Sequence, residues 1–299
     1  MPFHLLFPLA SSILFVLGMF FVRQGITRGA SPWTGTFLAN LWLALAWVGP
    51  GLIQANDLSW SAWWQACLIA MSFVLGQIFT YFAFQFGDVS VATPVFGVKV
   101  VIVAIVLSLL AGEDIQAGTW TGAVLAAAGV AFIQAGAAAG RQEKTFLRTL
   151  LTILLALLAA FSLSLFDTGL QVWGREHGPF AFLPAMFICT GLLSMGLVPW
   201  VDRIQTLRKQ QAFRPVLCGT LLMALQAMSM SWVLSRYGDA ARVNIVYALR
   251  GLWAVLLMWL LTRIPGRAGE ELTGKVMLLR LLGAILLTAS VVVALPGPI

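Results

Sequence analysis

The stretch 86-FGDVSVATPVFGVKVVIVAIVLSLL-110 aligns without a gap on 237-YGDAARVNIVYALRGLWAVLLMWLL-261, an offset of 151 residues. Gly87-Asp88 falls on Gly238-Asp239, Phe96 on Tyr247, and Lys99 on Arg250. Each member is an apolar run with one cation near its middle. Outside the run, Tyr81 falls on Trp232, and 122-GAVLAAAGV-130 resembles 283-GAILLTASV-291. Gly25 and Gly29 match Gly174 and Gly178 at an offset of 149 residues. A repeat of this length governs how every later motif is read. The chain divides into two similar halves, 1–140 and 141–299.

Composition fixes the medium in which these halves fold. Of the 299 residues 60% are hydrophobic and 10% charged, with a mean hydropathy of +0.93. A soluble globular chain carries about 25% charged residues. The apolar runs are about 20 residues long, the span of a transmembrane helix. A transmembrane β-barrel would show roughly 10-residue alternating segments instead. Ten spans are expected, at 3–22, 34–53, 63–86, 88–111, 118–138, 149–173, 180–201, 215–236, 239–262 and 276–296. The first has no basic region before it and reads as a mature membrane helix, not a cleaved signal. Trp33, Trp60, Trp63, Trp64, Trp120, Trp173 and Trp200 gather near predicted helix ends, as in an interfacial aromatic belt. The loops are too short for a soluble domain.

Five spans per half is an odd number, so the second half enters the membrane from the opposite side. The expected fold class is therefore an all-α membrane protein with ten transmembrane helices in two inverted five-helix repeats. Loop charge supports the inversion. Loops after spans 1, 3, 5, 7 and 9 and their flanks hold about 13 Lys/Arg, whereas the other face holds Arg175, Arg236 and Arg242. The positive-inside rule then puts both termini outside, in a plasma or inner cell membrane. The net charge of +7 reports these topogenic cations and not a nucleic-acid site. Inverted repeats are an architecture of secondary transporters, whose substrates bind near the midplane at the repeat interface.

Lys99 is the twelfth residue of its expected span, roughly 16 Å from either end at the α-helical rise, too far for its stem to snorkel out. Arg250 occupies the same depth in span 9. A central charge costs at least about 2.5–3.5 kcal/mol on insertion scales, and such residues face a cavity or a partner. Three readings compete for the pair. Two cations on symmetry-related helices can converge on a phosphate, sulfonate or carboxylate, Arg supplying a planar fork and Lys a point charge. Alternatively, each cation binds buried carbonyls or an acid and locks helices together. In the third, burial lowers the lysine pKa, so that Lys99 loses its proton and takes part in proton coupling.

Helical spacing puts Phe96, Lys99 and Val103 on one face of span 4, and Tyr247, Arg250 and Ala254 on the matching face of span 9. Thr93 and Asn244 correspond to each other, before the cations. Gln77, Tyr81, Gln226 and Trp232 are the polar or amphipathic candidates on spans 3 and 8, with Asn40 and Ser12 on spans 2 and 1. Asp167 is the acid well inside a predicted span, a candidate for proton coupling, for pairing with Arg250, or for a place near the interface. Pro94 and Gly97 mark a kink or gate beside Lys99, or ordinary tolerance of proline in a membrane helix. Asp88 and Asp239 read as tight-turn caps after a helix-ending glycine. Arg242 is placed to pair with Asp239 at the membrane surface. The small residues of 122–129 suit close helix packing, within the monomer or in a homodimer.

The run 86-FGDVSVATPVFGVKVVIVAIVLSLLAGEDIQAGTWTGAVLAAAGVAFI-133 resembles the end of the repeat in the drug/metabolite transporter superfamily, in its EamA-type branch. The shared features are the GD turn, the Thr93-Pro94 step early in the fourth helix, the GE that ends it, and the W-x-G-A-x-L-x-x-x-G-V fifth helix. The second half departs: Ile245 replaces the proline and no GE ends span 9. The resemblance implies a transporter of small molecules. In the sugar-phosphate and triose-phosphate branch, basic residues on the fourth and ninth helices are expected to hold the phosphate, and Lys99 and Arg250 fall on those helices. In relatives both termini are thought to be cytosolic, against the charge count here.

No enzyme is expected. His4 and His177 lie in terminal or loop positions without a nucleophile, and no Walker motif is present. Cys67, Cys189 and Cys218 lie in apolar runs, with no CxxC and no metal-ligand spacing, and read as small buried residues. No cofactor and no metal are expected. The anticipated partners are a small-molecule substrate, a coupling proton or exchanged metabolite, and membrane lipid. The expected function is a secondary active transporter of a small polar, anionic metabolite, working by alternating access. The alternatives are an exporter of neutral or aromatic amino acids or hydrophobic drugs, and a non-transporting scaffold or channel.

Overall fold

A computed structural model describes residues 2–53, 58–85, 95–138, 146–262 and 274–295. Every regular element among them is helical. In chain order these are α1 (Leu6–Thr27), α2 (Pro32–Ile53), α3 (Trp63–Gln85), α4 (Lys99–Leu110), α5 (Ala117–Ala138), α6 (Phe146–His177), α7 (Pro179–Ser194), α8 (Ile204–Lys209), α9 (Phe213–Tyr237), α10 (Ala240–Tyr247), α11 (Arg250–Thr262) and α12 (Gly274–Ala294). Among the described residues, six helical segments are long and apolar enough to cross a membrane, including Phe3–Thr27, Trp60–Ala83, Thr149–His177 and Ala240–Leu257. Three shorter apolar ones are Val95–Leu110, Ala117–Ile133 and Leu278–Ala294. The protein is a multi-helix membrane fold.

Two expected spans depart from a continuous helix. A turn at Val98 precedes α4, and a turn at Ala248–Leu249 separates α10 from α11. The GD turn at 87–88, with Thr93 and Pro94, lies outside the described residues.

The chain forms two compact units, each built from both sequence halves. One comprises residues 2–77 and 165–238, the other 78–164 and 239–299 together with Met1.

In the first unit α1 packs along α9, and α2 packs against α7 and α9. Its basic end is tied by polar bonds. Asp202 Oδ2 accepts the Ser31 N–H at 2.5 Å and the Thr34 hydroxyl at 2.9 Å, while the Asp202 N–H donates to Thr34 Oγ1 at 2.8 Å. Arg28 Nη1 donates to the Gln211 carbonyl at 2.7 Å. Trp33 and Trp200 lie 6.2 Å apart between ring centroids. Trp64 meets Trp173 edge-on at 5.4 Å, and Trp60 lies 5.9 Å from Trp63.

In the second unit α12 lies along α5, and α10 packs against α4 and α5. The α5–α12 seam is what the small-residue run forms. A Cβ on Gly129 would meet the Gly283 carbonyl at 2.9 Å, and one on Gly283 would meet the Gly129 carbonyl at 2.6 Å. Two backbones approach this closely only where side chains are absent. The seam is closed by Ala123, Ala126, Leu287 and Ala294, packed with Ile245 of α10.

Candidate functional site

Lys99 and Arg250 occupy equivalent places in a local structure that the alignment did not foresee. Each is the first residue of a helix that begins directly after a turn. Before Lys99 the Val98 N–H bonds to the Val95 carbonyl at 3.0 Å, and the Val101 N–H to Val98 at 2.9 Å. Before Arg250 the Leu249 N–H bonds to Val246 at 3.1 Å, and the Leu252 N–H to Leu249 at 2.9 Å. These are the tight i→i+3 bonds of a 3₁₀ turn, which often marks a hinge or functional position inside a helix. The second copy makes its turn with Ile245 where the first has Pro94, so proline is not its cause there.

Both cations are half-buried. The Arg250 guanidinium lies over the Tyr247 ring, 4.6 Å from its centroid. This cation–π contact holds the plane of the fork against an aromatic face. Tyr247 is itself buried at 7% exposure and Asn244 at 2%, its Nδ2 donating back to the Ala240 carbonyl at 2.9 Å. Val103 is fully buried, whereas Ala254 is exposed, so the two faces that match in sequence differ in their surroundings.

Several candidates make packing contacts. Phe96 packs against Ala83, Ala156 and Leu155. Gly97 admits Val130 of α5, whose Cγ1 would lie 2.8 Å from an added Cβ, so it permits a close helix approach next to the turn at Val98. Tyr81 lies half-buried with its ring 5.9 Å from Phe82.

The remaining candidates belong to the first unit. Asn40 and Gln77 form a reciprocal amide pair at 2.8 and 3.0 Å, and Asn40 Nδ2 also donates to Ser194 Oγ at 2.8 Å. Ser12 donates to the Leu9 carbonyl at 2.6 Å. Gln226 is buried, and its carbonyl accepts Ser11 Oγ at 3.3 Å. Asp167 is 3% exposed in α6. With Thr168 and Gln171, also buried, it extends a polar face that Ser164 begins one turn earlier. Thr168 Oγ1 has no hydrogen-bond partner among the described residues. Trp232 meets Phe180 edge-on at 5.0 Å and lines a cleft of about 360 Å³ with Phe7, Trp47, Pro50, Met228 and Ser229.

Asp239 corrects the expectation of an aspartate cap. It stands at the N-cap position of α10 with φ +63°, but its carboxylate makes no cap bond to the helix. It pairs instead with Arg242, whose Nε lies 2.8 Å from Oδ2. The pairing was expected, but its location was not. Arg242 is 6% exposed, so the pair is buried in the protein and is not a surface contact. An N-cap residue ordinarily has extended backbone, and the left-handed conformation of Asp239 departs from that geometry. Gly238 before it has φ +74° and ends α9, as expected of a helix-terminating glycine.

Sequence reasoning missed two polar contacts and one thiol pair. Asp202 and Ser194 each bond to residues more than 150 positions away, and no local pattern predicts that. Cys67 Sγ and Cys189 Sγ lie 2.8 Å apart. Among the described residues no group of three or more His, Cys, Asp or Glu is arranged to hold a metal ion.

A family model described as the EamA-like transporter family matches residues 2–135. No curated protein matches the chain. A solved crystal structure of a protein matches 98% of this chain over 96% of its own, with a TM-score of 0.69 and 17% sequence identity. That likeness shows a shared fold across nearly the whole chain. Residues 2–135, somewhat under half of the chain, are thus similar to the EamA-like transporter family.

Proposed function

We propose that the protein is a secondary active transporter that carries a small anionic metabolite by alternating access, with Lys99 and Arg250 as its anion-holding groups. The observation that carries this reading is their shared local structure: a half-buried cation opening a helix directly after a 3₁₀ turn, at both aligned positions. Arg250 adds a fork suited to two oxygens of a phosphate, sulfonate or carboxylate. Asn244 and the aromatic residues Phe96 and Tyr247 are the neighbours assigned to the same site, and Thr93, which lies outside the described residues, is assigned to it from the sequence alone.

Thermal-shift screening of the purified protein against phosphorylated, sulfonated and carboxylated metabolites tests the assignment. A stabilising anion is expected, and Lys99→Gln and Arg250→Gln should each abolish its shift. Intact binding by both variants would end the anion site. Counterflow of labelled substrate in proteoliposomes is expected of a carrier and is impossible for a channel or scaffold.

Asp167 is the buried acid assigned to proton coupling. Loss of pH-driven uptake in Asp167→Asn, with counterflow intact, assigns it to coupling; a large loss of thermal stability assigns it to a structural pair.

The aromatic cleft of Phe7, Trp47, Phe180 and Trp232 favours a second reading, an exporter of aromatic or hydrophobic molecules. It predicts stabilisation by aromatic amino acids or apolar drugs that Trp232→Ala removes and Arg250→Gln leaves unchanged.

A further inference from the structure

Cys67 and Cys189 lie 122 residues apart in sequence, on α3 and α7, with their sulfurs 2.8 Å from each other. A disulfide bond is about 2.04 Å long, so bonding requires the sulfurs to approach by only about 0.8 Å. Both thiols are free. They differ in access: Cys189 is 6% exposed and Cys67 is exposed. Trp64, Leu68, Met71 and Leu75, also exposed, continue the face of α3 that carries Cys67. This is an apolar stripe at helical spacing in a membrane-spanning helix, so Cys67 faces lipid. A reagent reaches it through the bilayer, and a second thiol waits behind it.

We propose that Cys67 and Cys189 are a two-thiol oxidation site that an apolar disulfide, entering from the bilayer, converts to a disulfide between α3 and α7. The Cys67 sulfur attacks one sulfur of the reagent, the reagent's S–S bond breaks, and the departing thiol carries away the Cys67 proton. The Cys189 sulfur then attacks Cys67 Sγ in the mixed disulfide, expelling the second reagent thiol, which takes the Cys189 proton. The protein loses two electrons and two protons, and the reagent becomes two thiols. Cys67 is the attacking residue because it is the accessible one, and Cys189 is the resolving residue because it is adjacent and shielded. The site is independent of the transport reading.

The test uses the full chain carrying Cys218→Ser, which removes the other exposed thiol. The folded protein is treated with 4,4′-dithiodipyridine, an apolar disulfide whose released thione is read by absorbance. Two thiones per chain are expected, with no reagent retained and Cys67 and Cys189 peptides joined in mass spectra until dithiothreitol separates them. With Cys189→Ser added, one thione should be released and the reagent should remain on Cys67. The oxidised protein should melt at a higher temperature than the reduced one, because the cross-link closes a 122-residue loop of the unfolded chain. Reagent retained on Cys67 while Cys189 is present, or no reaction of either thiol in the folded protein, overturns the proposal. If the Cys189→Ser chain does not fold, the stoichiometry and peptide map of the Cys218→Ser protein decide alone.

Discussion

Arg242 pairs with Asp239 at 2.8 Å, with side-chain exposures of 8% and 12%. Removing one member of a buried pair leaves the other charge desolvated, at about 3–5 kcal/mol, while removing both restores much of the loss. Asp239→Asn is therefore expected to lower the melting temperature sharply, and Asp239→Asn with Arg242→Gln to recover part of it. Equal melting of wild type and Asp239→Asn would show that the pair contributes little. Arg250 makes a different demand. Arg250→Lys keeps the charge but loses the planar fork and much of the stacking over Tyr247. A stacked, partly desolvated cation contributes about 1–2 kcal/mol, so anion affinity in this variant should fall by about five- to thirty-fold without a matching loss of stability. Titration of the stabilising anion by thermal shift reads that difference.

Between helices, the seam of α5 and α12 depends on Gly129 and Gly283. Gly129→Val places a branched side chain where a Cβ alone would already meet the Gly283 carbonyl and the Leu287 side chain at 2.9 Å. Overpacking of this kind costs about 1–3 kcal/mol. Gly251→Ala is the control, since its nearest neighbours would be at an ordinary 3.5 Å. The first variant should melt lower and the second near wild type. This seam was legible in sequence because close packing demands small residues and nothing else satisfies it. The breaks before α4 and α11 were not. Pro94 hinted at one, but Ile245 stands at the equivalent place in the other, and the 3₁₀ bonds there depend on tertiary context instead of a residue type. Lys99 and Arg250 stood out because charge is costly in a bilayer. Cys67 and Cys189 did not, because 122 residues separate two small side chains whose proximity only packing creates.

At the scale of the whole molecule, the open question that charge can answer is orientation. The connection between α1 and α2 and the one between α7 and α9 are bonded through Arg28 to Gln211 and through Ser31 and Thr34 to Asp202. Both loops therefore lie on one membrane face, as the odd-loop count requires. That face carries Arg203, Arg208, Lys209 and Arg214. Of the three cations assigned to the other face, Arg242 is buried against Asp239 and does not act as a loop charge. The asymmetry is thus steeper than the count alone. Because loop Lys and Arg are retained in the cytoplasm, and the ten spans expected from the sequence would return the chain to its starting side, both termini are predicted outside. An alkaline phosphatase fused after Ile299 should be active, and a fluorescent protein fused there should stay dark outside the cytoplasm. Neutralising Arg203, Arg208, Lys209 and Arg214 together should weaken this preference and produce mixed signals from both reporters. A bright fluorescent fusion with an inactive phosphatase in the unaltered chain would reverse the orientation, placing the basic loops outside and requiring a determinant other than loop charge.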